Sequence, residues 1–429
     1  MSKNLALFGG EKNITKVFKK YNPLGAEEEK AVAEVMQSGI LSKYIGAWHE
    51  DWCGGPKVKE FENSCKDFFQ VKHAITVNSW TSGLTAAIGA IGIEPGDEVI
   101  VTPWTMSASA TTILHWNAIP VFADIDPQTY NLCPDSIRDN ITKYTKAIMV
   151  ADIFGLSADM EKINNIAKEF NLKVISDTAQ APGAFYRNCM AGTMADIGGF
   201  SLNYHKHIHT GEGGILVTNN DDYADRLRLI RNHAEVVVAD KDFGSLANMI
   251  GYNFRLGEIE SAIGIQQLKK LNNLVESRQA LAERLTSGLS SLEGLITPFI
   301  PHDQTSTYYV YPLQIDPTKI SISRDLICDA LNAEGFGIAN KYQNIHLLPI
   351  YQEKIAYGSN GFPWTSDICK RDVSYKKGIC PTAEKLNDEL YMGFGLCNFD
   401  WTLDDIDLIV QTFTKVWNNF DELESYAQR

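Results

Sequence analysis

Phe200-Ser201-Leu202-Asn203-Tyr204-His205-Lys206-His207-Ile208-His209-Thr210-Gly211-Glu212-Gly213-Gly214 is the centre of a stretch running from Asp196 to Thr218. One lysine stands among three histidines, between the apolar segment Ile197 to Leu202 and the apolar strand Ile215 to Val217. An ammonium is strongly hydrated, so a lysine set among apolar flanks calls for a reason. The functional reason is imine chemistry, in which a desolvated amine condenses with a carbonyl. The plain alternative is a surface lysine in a loop between two strands.

Working outward, short apolar runs alternate with helical patterns. Strands are expected at His73 to Val77, Glu98 to Thr102, Ile119 to Ala123, Ala147 to Phe154 and Lys173 to Ser176, and helices at Pro56 to Phe69, Ala108 to Trp116 and Asp159 to Phe170. Such alternation predicts an α/β fold with a mostly parallel sheet covered on both faces. Ligands then gather outside the carboxyl ends of the strands. Thr81, Met106, Asp177 and Lys206 all come after expected strands. Asn78-Ser79-Trp80-Thr81-Ser82-Gly83 opens an Ala-rich helix at Leu84, which reads as an anion site or as an ordinary N-cap. Asp177 reads either as a functional carboxylate or as a cap for the next helix.

The central stretch resembles the Schiff-base motif of the DegT/DnrJ/EryC1/StrS family of pyridoxal-phosphate (PLP) sugar aminotransferases, about F-S-x-x-x-x-K-x-[IL]-x-x-x-E-G-G. Phe200, Ser201, Lys206, Ile208, Glu212, Gly213 and Gly214 fall in register. Asp177-Thr178-Ala179-Gln180-Ala181-Pro182-Gly183 matches the family's D-x-A-[QH]-[AS]-x-G, and Gly251-Tyr252-Asn253-Phe254-Arg255-Leu256 is similar to its G-Y-N-x-R-[ML]. The resemblance extends from Leu7-Phe8-Gly9-Gly10 to the last helix. It implies a fold-type-I aminotransferase in which Lys206 carries the cofactor and is the catalytic residue. It further implies that Ser201 holds the phosphate together with the turn residues Trp80, Thr81 and Ser82. Asp177 is expected to pair with the pyridinium nitrogen, Gln180 to lie near the ring's phenolic oxygen, and Asn253 to reach the phosphate of the neighbouring subunit of a homodimer. Met106 stands where relatives stack an aromatic on the ring, and Trp80 replaces a small residue.

Helices are expected at Pro23 to Ser38, Asp222 to Arg231, Arg255 to Leu271 and Ser277 to Leu292. After Leu292 the composition shifts and a strand is expected at Tyr308 to Ile315, so a boundary near 275 is expected to divide a large PLP-binding domain at 15–275 from a smaller α/β domain at 276–429, with 1–14 packing on the latter. His346-Leu347-Leu348-Pro349-Ile350-Tyr351 resembles the family's H-x-x-P-x-Y. The loop Tyr44 to Trp52 and the segment through Trp364, Lys370 and Arg371 look longer than in relatives, and Trp48, His346 and Arg371 are the candidates for binding substrate.

A net charge of −14 over 429 residues disfavours nucleic acid and anionic membranes as partners. No apolar run is long enough to span a bilayer, and Met1-Ser2-Lys3-Asn4 lacks a signal core, so a cytoplasmic protein is expected. Eight scattered cysteines without zinc spacing read as free thiols, and no metal site is expected. The family resemblance implies an amino-acid donor, glutamate, and a keto or aldehyde sugar as acceptor in surface-polysaccharide synthesis. The acceptor is either the precursor of 8-amino-3,8-dideoxy-octulosonate or a nucleotide-linked keto-deoxyhexose. A sugar dehydratase with histidine in the lysine's place and a non-catalytic regulator are the other readings.

Overall fold

A computed structural model describes residues 4–238 and 245–428. Three early elements show how the chain begins. Helix α1 (Ala26–Ser38) has three glutamates in its first turn and stops at Gly39, whose φ of 67° is the left-handed conformation a C-terminal glycine takes up without cost. Helix α2 (Pro56–Phe69) has Pro at its first position and buries Val58, Phe61, Cys65 and Phe69 on one face. Strand β1 (His73–Val77) comes next and leads directly into α3 (Trp80–Ala90), capped by Ser79, whose Oγ accepts from the Ser82 N–H at 3.1 Å. The helix therefore begins at Trp80, four residues before the expected Leu84, because the cap lies at Ser79.

Strands β2 (Glu98–Val101), β3 (Ile119–Phe122), β4 (Thr145–Ala151) and β5 (Lys173–Asp177) are the next four. A short hairpin, β6 (Phe185–Tyr186) and β7 (Cys189–Met190), precedes β8 (Ile197–Ser201) and β9 (Gly214–Thr218). Seven of these strands form one sheet in the order β1-β9-β8-β5-β4-β2-β3. The pairs β2·β3, β2·β4, β4·β5 and β5·β8 are parallel, while β9 runs antiparallel to both neighbours. The sheet is thus mostly parallel and mixed at one side, and nearly every strand residue is buried, as expected when helices cover both faces. The carboxyl ends of β5 and β8 bring Asp177 and Ser201 to the same edge.

The periodic pattern predicts two helices, Arg255 to Leu271 and Ser277 to Leu292, on either side of residue 275. Instead one 32-residue helix spans Glu258–Leu289. Its first half packs Ile265, Leu268, Leu271 and Val275 against Phe61, Phe69 and Phe200, and its second half packs Leu281, Leu285 and Leu289 in another cluster with Leu313, Phe336 and Phe413. Burial of both halves outweighs the few tenths of a kcal/mol per residue that Asn and Ser cost a helix. A three-stranded sheet, β10 (Leu295–Ile296), β11 (Tyr311–Ile315) and β12 (Tyr391–Phe394), belongs with the second cluster. Leu5 and Ile14 pack there too, and Glu334 accepts the backbone N–H groups of Ala6 and Asn13 at 2.9 Å. Residues 276–429 do not all pack together: Ile345, Tyr351, Trp364, Tyr375 and Cys380 join the core of the seven-stranded sheet. The eight cysteines are unpaired, and no helix among the described residues is long and apolar enough to cross a membrane.

Candidate active site

Lys206 lies just after β8 and is buried, 7% exposed. The Lys206 N–H bonds the Asn203 carbonyl at 2.9 Å, in a turn stapled to the sheet by Leu202 N–H to Gly213 O and by Thr210 N–H to Leu202 O. Gly213 is required there: at φ 155° a Cβ would come within 2.8 Å of Thr210 Oγ1. The Nζ sits 4.4 Å from the centroid of the Tyr309 ring. Burial lowers the Lys206 pKa to about 8, partly opposed by the negative charge of Asp177. A lysine in that state has free base available near neutral pH, as carbonyl condensation demands.

Lys206 opens on a cavity of about 480 Å³ together with Met106, Gln180, His205, Tyr309 and Lys341. Gln180 is fixed at both ends, its Oε1 accepting from the Phe154 N–H at 2.8 Å and its Nε2 donating to the Tyr342 hydroxyl at 3.3 Å. Met106 is 63% exposed, its sulfur accepting from the Ala108 N–H at 3.1 Å. His205 is half-buried, and burial and then the Lys206 charge depress its pKa, leaving it neutral at pH 7.

Asp177, at the end of β5, is held from behind. Its Oδ1 accepts from the Trp80 indole Nε1 at 2.7 Å and from the Ala179 N–H at 3.2 Å, and its Oδ2 accepts from Ser109 Oγ at 2.6 Å. The Trp80 ring, whose role the sequence leaves open, thus donates its N–H to Asp177. Gly199 and Gly83 leave space for the indole; a Cβ on either would fall 2.4 Å or 2.8 Å from ring carbons. No sequence signal joins positions 97 residues apart. Ser109 carries none for the same reason.

Ser201 pairs across the sheet with Gly214, and Gly214 abuts the backbone of Trp80, where a Cβ would be 3.0 Å from its nitrogen. The serine is thereby brought beside the N-terminal turn of α3. Thr81 and Ser82, on that turn, line a neighbouring recess of about 360 Å³ with Tyr252 and Phe254. The Asn253 carboxamide is exposed and its Oδ1 accepts from Arg255 Nε at 2.8 Å, outside the Lys206 cavity of its own chain.

The three candidates for substrate contact lie elsewhere. His346 is fully buried, its Nε2 3.0 Å from Glu384 Oε1, packed against Phe122. Arg371 pairs with Glu98 at 2.6 Å, at the start of β2 and so at the opposite end of the strands from Lys206. Trp48 is 48% exposed and packs on Trp52, whose ring is buried and donates to the Asn232 carbonyl. Conversely Lys341 and Tyr309, which no local pattern singles out, face the cavity. His207 is wholly buried, its Nε2 donating to Thr307 O at 2.9 Å while Nδ1 has no partner among the described residues.

The donor set fits PLP. A desolvated lysine, a buried carboxylate with both oxygens oriented, and a serine beside a capped helix N-terminus are the three groups that an aldehyde, a pyridine nitrogen and a phosphate require.

Comparison with known proteins agrees. The DegT/DnrJ/EryC1/StrS aminotransferase family matches residues 24–388. The spore coat polysaccharide biosynthesis protein SpsC of Bacillus subtilis is 35% identical over 358 residues, covering 82% of this chain and 89% of that protein. GDP-perosamine synthase of Caulobacter vibrioides is 35% identical over 298 residues, 69% of this chain and 79% of the relative. Among solved structures, an aminotransferase from Psychrobacter cryohalolentis superposes with a TM-score of 0.79 at 27% identity, over 94% of this chain and 99% of the other. The aminotransferase PseC of Helicobacter pylori superposes with a TM-score of 0.76 at 26% identity, over 94% and 99%. These neighbours share the fold-type-I architecture. Matched over most of its length, the chain belongs to the PLP-dependent DegT/DnrJ/EryC1/StrS aminotransferase family.

Proposed function

We propose that this enzyme moves the amino group of glutamate to a keto or aldehyde sugar in surface-polysaccharide synthesis, working as a cytoplasmic homodimer. The observation that carries the reading is Lys206, a buried amine near pKa 8 on the floor of a cavity wide enough for a sugar. PLP, when bound, supplies the electron sink that makes the donor's Cα proton removable. Lys206 Nζ then takes that proton and delivers it, since a group near pKa 8 both accepts and releases protons at neutral pH. Asp177, oriented by Trp80 and Ser109, presents a carboxylate to the ring nitrogen. Gln180 braces the wall beside it, and Ser201 with the α3 turn holds the phosphate. Asn253, which does not line the cavity of its own chain, serves the partner subunit.

For the acceptor, a free acidic sugar of the octulosonate kind is supported by a cavity whose described lining contains no carboxylate. A nucleotide-linked keto-deoxyhexose is the second reading, supported by the identity to GDP-perosamine synthases. The test supplies purified enzyme with glutamate and either 8-oxo-octulosonate or a nucleotide-linked keto hexose. Amination of neither sugar, with no borohydride-stable mass added to the Lys206 peptide, would refute the reading and favour a regulator; mass added at a histidine would favour a dehydratase.

A further inference from the structure

The chain carries 53 acidic and 39 basic residues, yet the described lining of the Lys206 cavity holds no Asp or Glu and holds Lys206, His205 and Lys341. His205 is neutral at pH 7. Once Lys206 is engaged by the cofactor, Lys341 is the remaining cation among those residues. Its side chain has no ion pair within the described chain. Asp388, whose carboxylate senses the Lys341 charge, is already bonded to Lys377 at 2.6 Å.

The backbone that carries Lys341 is held on both sides. Ala339 exchanges two backbone hydrogen bonds with Gly393, each 2.9 Å, and Asn340 Nδ2 donates to Asp325 at 2.7 Å. After it, Tyr342 receives the Gln180 carboxamide, and Asn344 Oδ1 accepts the Trp104 indole N–H at 2.7 Å. A lysine fixed at the root and free at the tip loses little order on gripping a ligand, so its charge is available for recognition rather than for stability. Asn398 and Ser107, also on the wall, add neutral donors that complete an anion's hydrogen bonding.

Resting on the aminotransferase reading, we infer that Lys341 is the specificity-determining residue that receives a carboxylate or phosphate at the far end of the ligand reacting at Lys206. The anion belongs either to the donor, as the distal carboxylate of glutamate, or to the acceptor. The residue selects anionic ligands and takes no part in proton transfer.

The test compares the wild type with Lys341→Met and Lys341→Arg. Four KM values are measured: glutamate and alanine as donors, and 8-oxo-octulosonate and a nucleotide-linked keto hexose as acceptors. Loss of a charge-assisted contact should raise KM about tenfold for at least one anionic ligand, with kcat within about twofold and KM for alanine unmoved. Arg should restore most of the loss. A rise confined to glutamate assigns the anion to the donor, and one confined to a sugar assigns it to the acceptor. A second readout needs no sugar turnover: calorimetry of glutarate and of inorganic pyrophosphate binding to the holoenzyme, which Lys341→Met should weaken about tenfold for one of them. Failure of the wild type to bind either probe, unchanged KM in every arm, or a fall in kcat alone overturns the inference. Failure to aminate any sugar, with glutarate binding still dependent on Lys341, sinks the sugar assignment and leaves Lys341 standing.

Discussion

Lys206 serves chemistry at the expense of stability, and the size of that expense is set by its surroundings. An unfolded lysine keeps its proton up to about 10.5, whereas burial makes the folded one release it near 8. Between those values the unfolded chain binds more protons, so stability of the cofactor-free enzyme rises with pH through that window. Below pH 8 the full cost is present, about 3 kcal/mol for the gap. The Tyr309 face returns part of it, up to about 2 kcal/mol for a desolvated ammonium on an aromatic ring. Lys206→Met removes the charge while keeping the length. The cofactor-stripped variant should therefore be more stable than the stripped wild type at pH 7 by about 1 to 3 kcal/mol, and the advantage should shrink toward zero by pH 10.5. Urea unfolding of both proteins at about pH 7, 8.5 and 10 reads this directly. A variant less stable than wild type at pH 7, or an advantage that does not decline with pH, would refute the account of a desolvated amine.

Lys206→Arg should abolish transamination and the borohydride-stable mass on its peptide, checked by coupled assay and mass spectrometry. Asp177→Asn should still bind PLP yet lose at least about a hundredfold in kcat, because a neutral partner cannot hold the ring proton; near-normal turnover would contradict its role. Trp80→Phe keeps an aromatic ring in the glycine-lined slot but withdraws the N–H from Asp177, at a cost of about 1.5 to 3 kcal/mol in unfolding free energy. Sedimentation at micromolar concentration should find a dimer, and an active monomer would remove the cross-subunit role proposed for Asn253.

Much of the fold is legible in the sequence because local pattern and tertiary demand agree. Pro56–Phe69 and His73–Val77 come out residue for residue: proline marks the first helical position, and the apolar spacing shifts from helical to strand period between them. The long helix reads as two because Asn272, Asn273 and Ser277 are poor helix formers, and the packing that overrides them lies in two distant cores. At the proposed site, Lys206, Asp177, Gln180 and Ser201 are carried by sequence motifs, and Lys206 and Gln180 line the same cavity. The groups that bind Asp177 from behind are not, since Trp80 and Ser109 reach it through folding alone. His346 and Arg371 are not among the residues that line the Lys206 cavity. A motif histidine and a basic residue in a long loop stand out in sequence, but their partners Glu384 and Glu98 lie too far along the chain for any local pattern to show.

The unbroken Glu258–Leu289 helix has a mechanical consequence. A rod of 32 residues is about 48 Å long, and each residue rotates the next side chain by about 100° around its axis. The two apolar faces it presents, one ending at Val275 and the other beginning at Leu281, are therefore locked in phase as well as in distance. Inserting one residue between them would swing Leu281, Leu285 and Leu289 about a quarter turn out of their cluster. Inserting about seven would restore the face yet push it about 10 Å along the axis. The count of residues within this spar is therefore fixed by the geometry of the two clusters it joins.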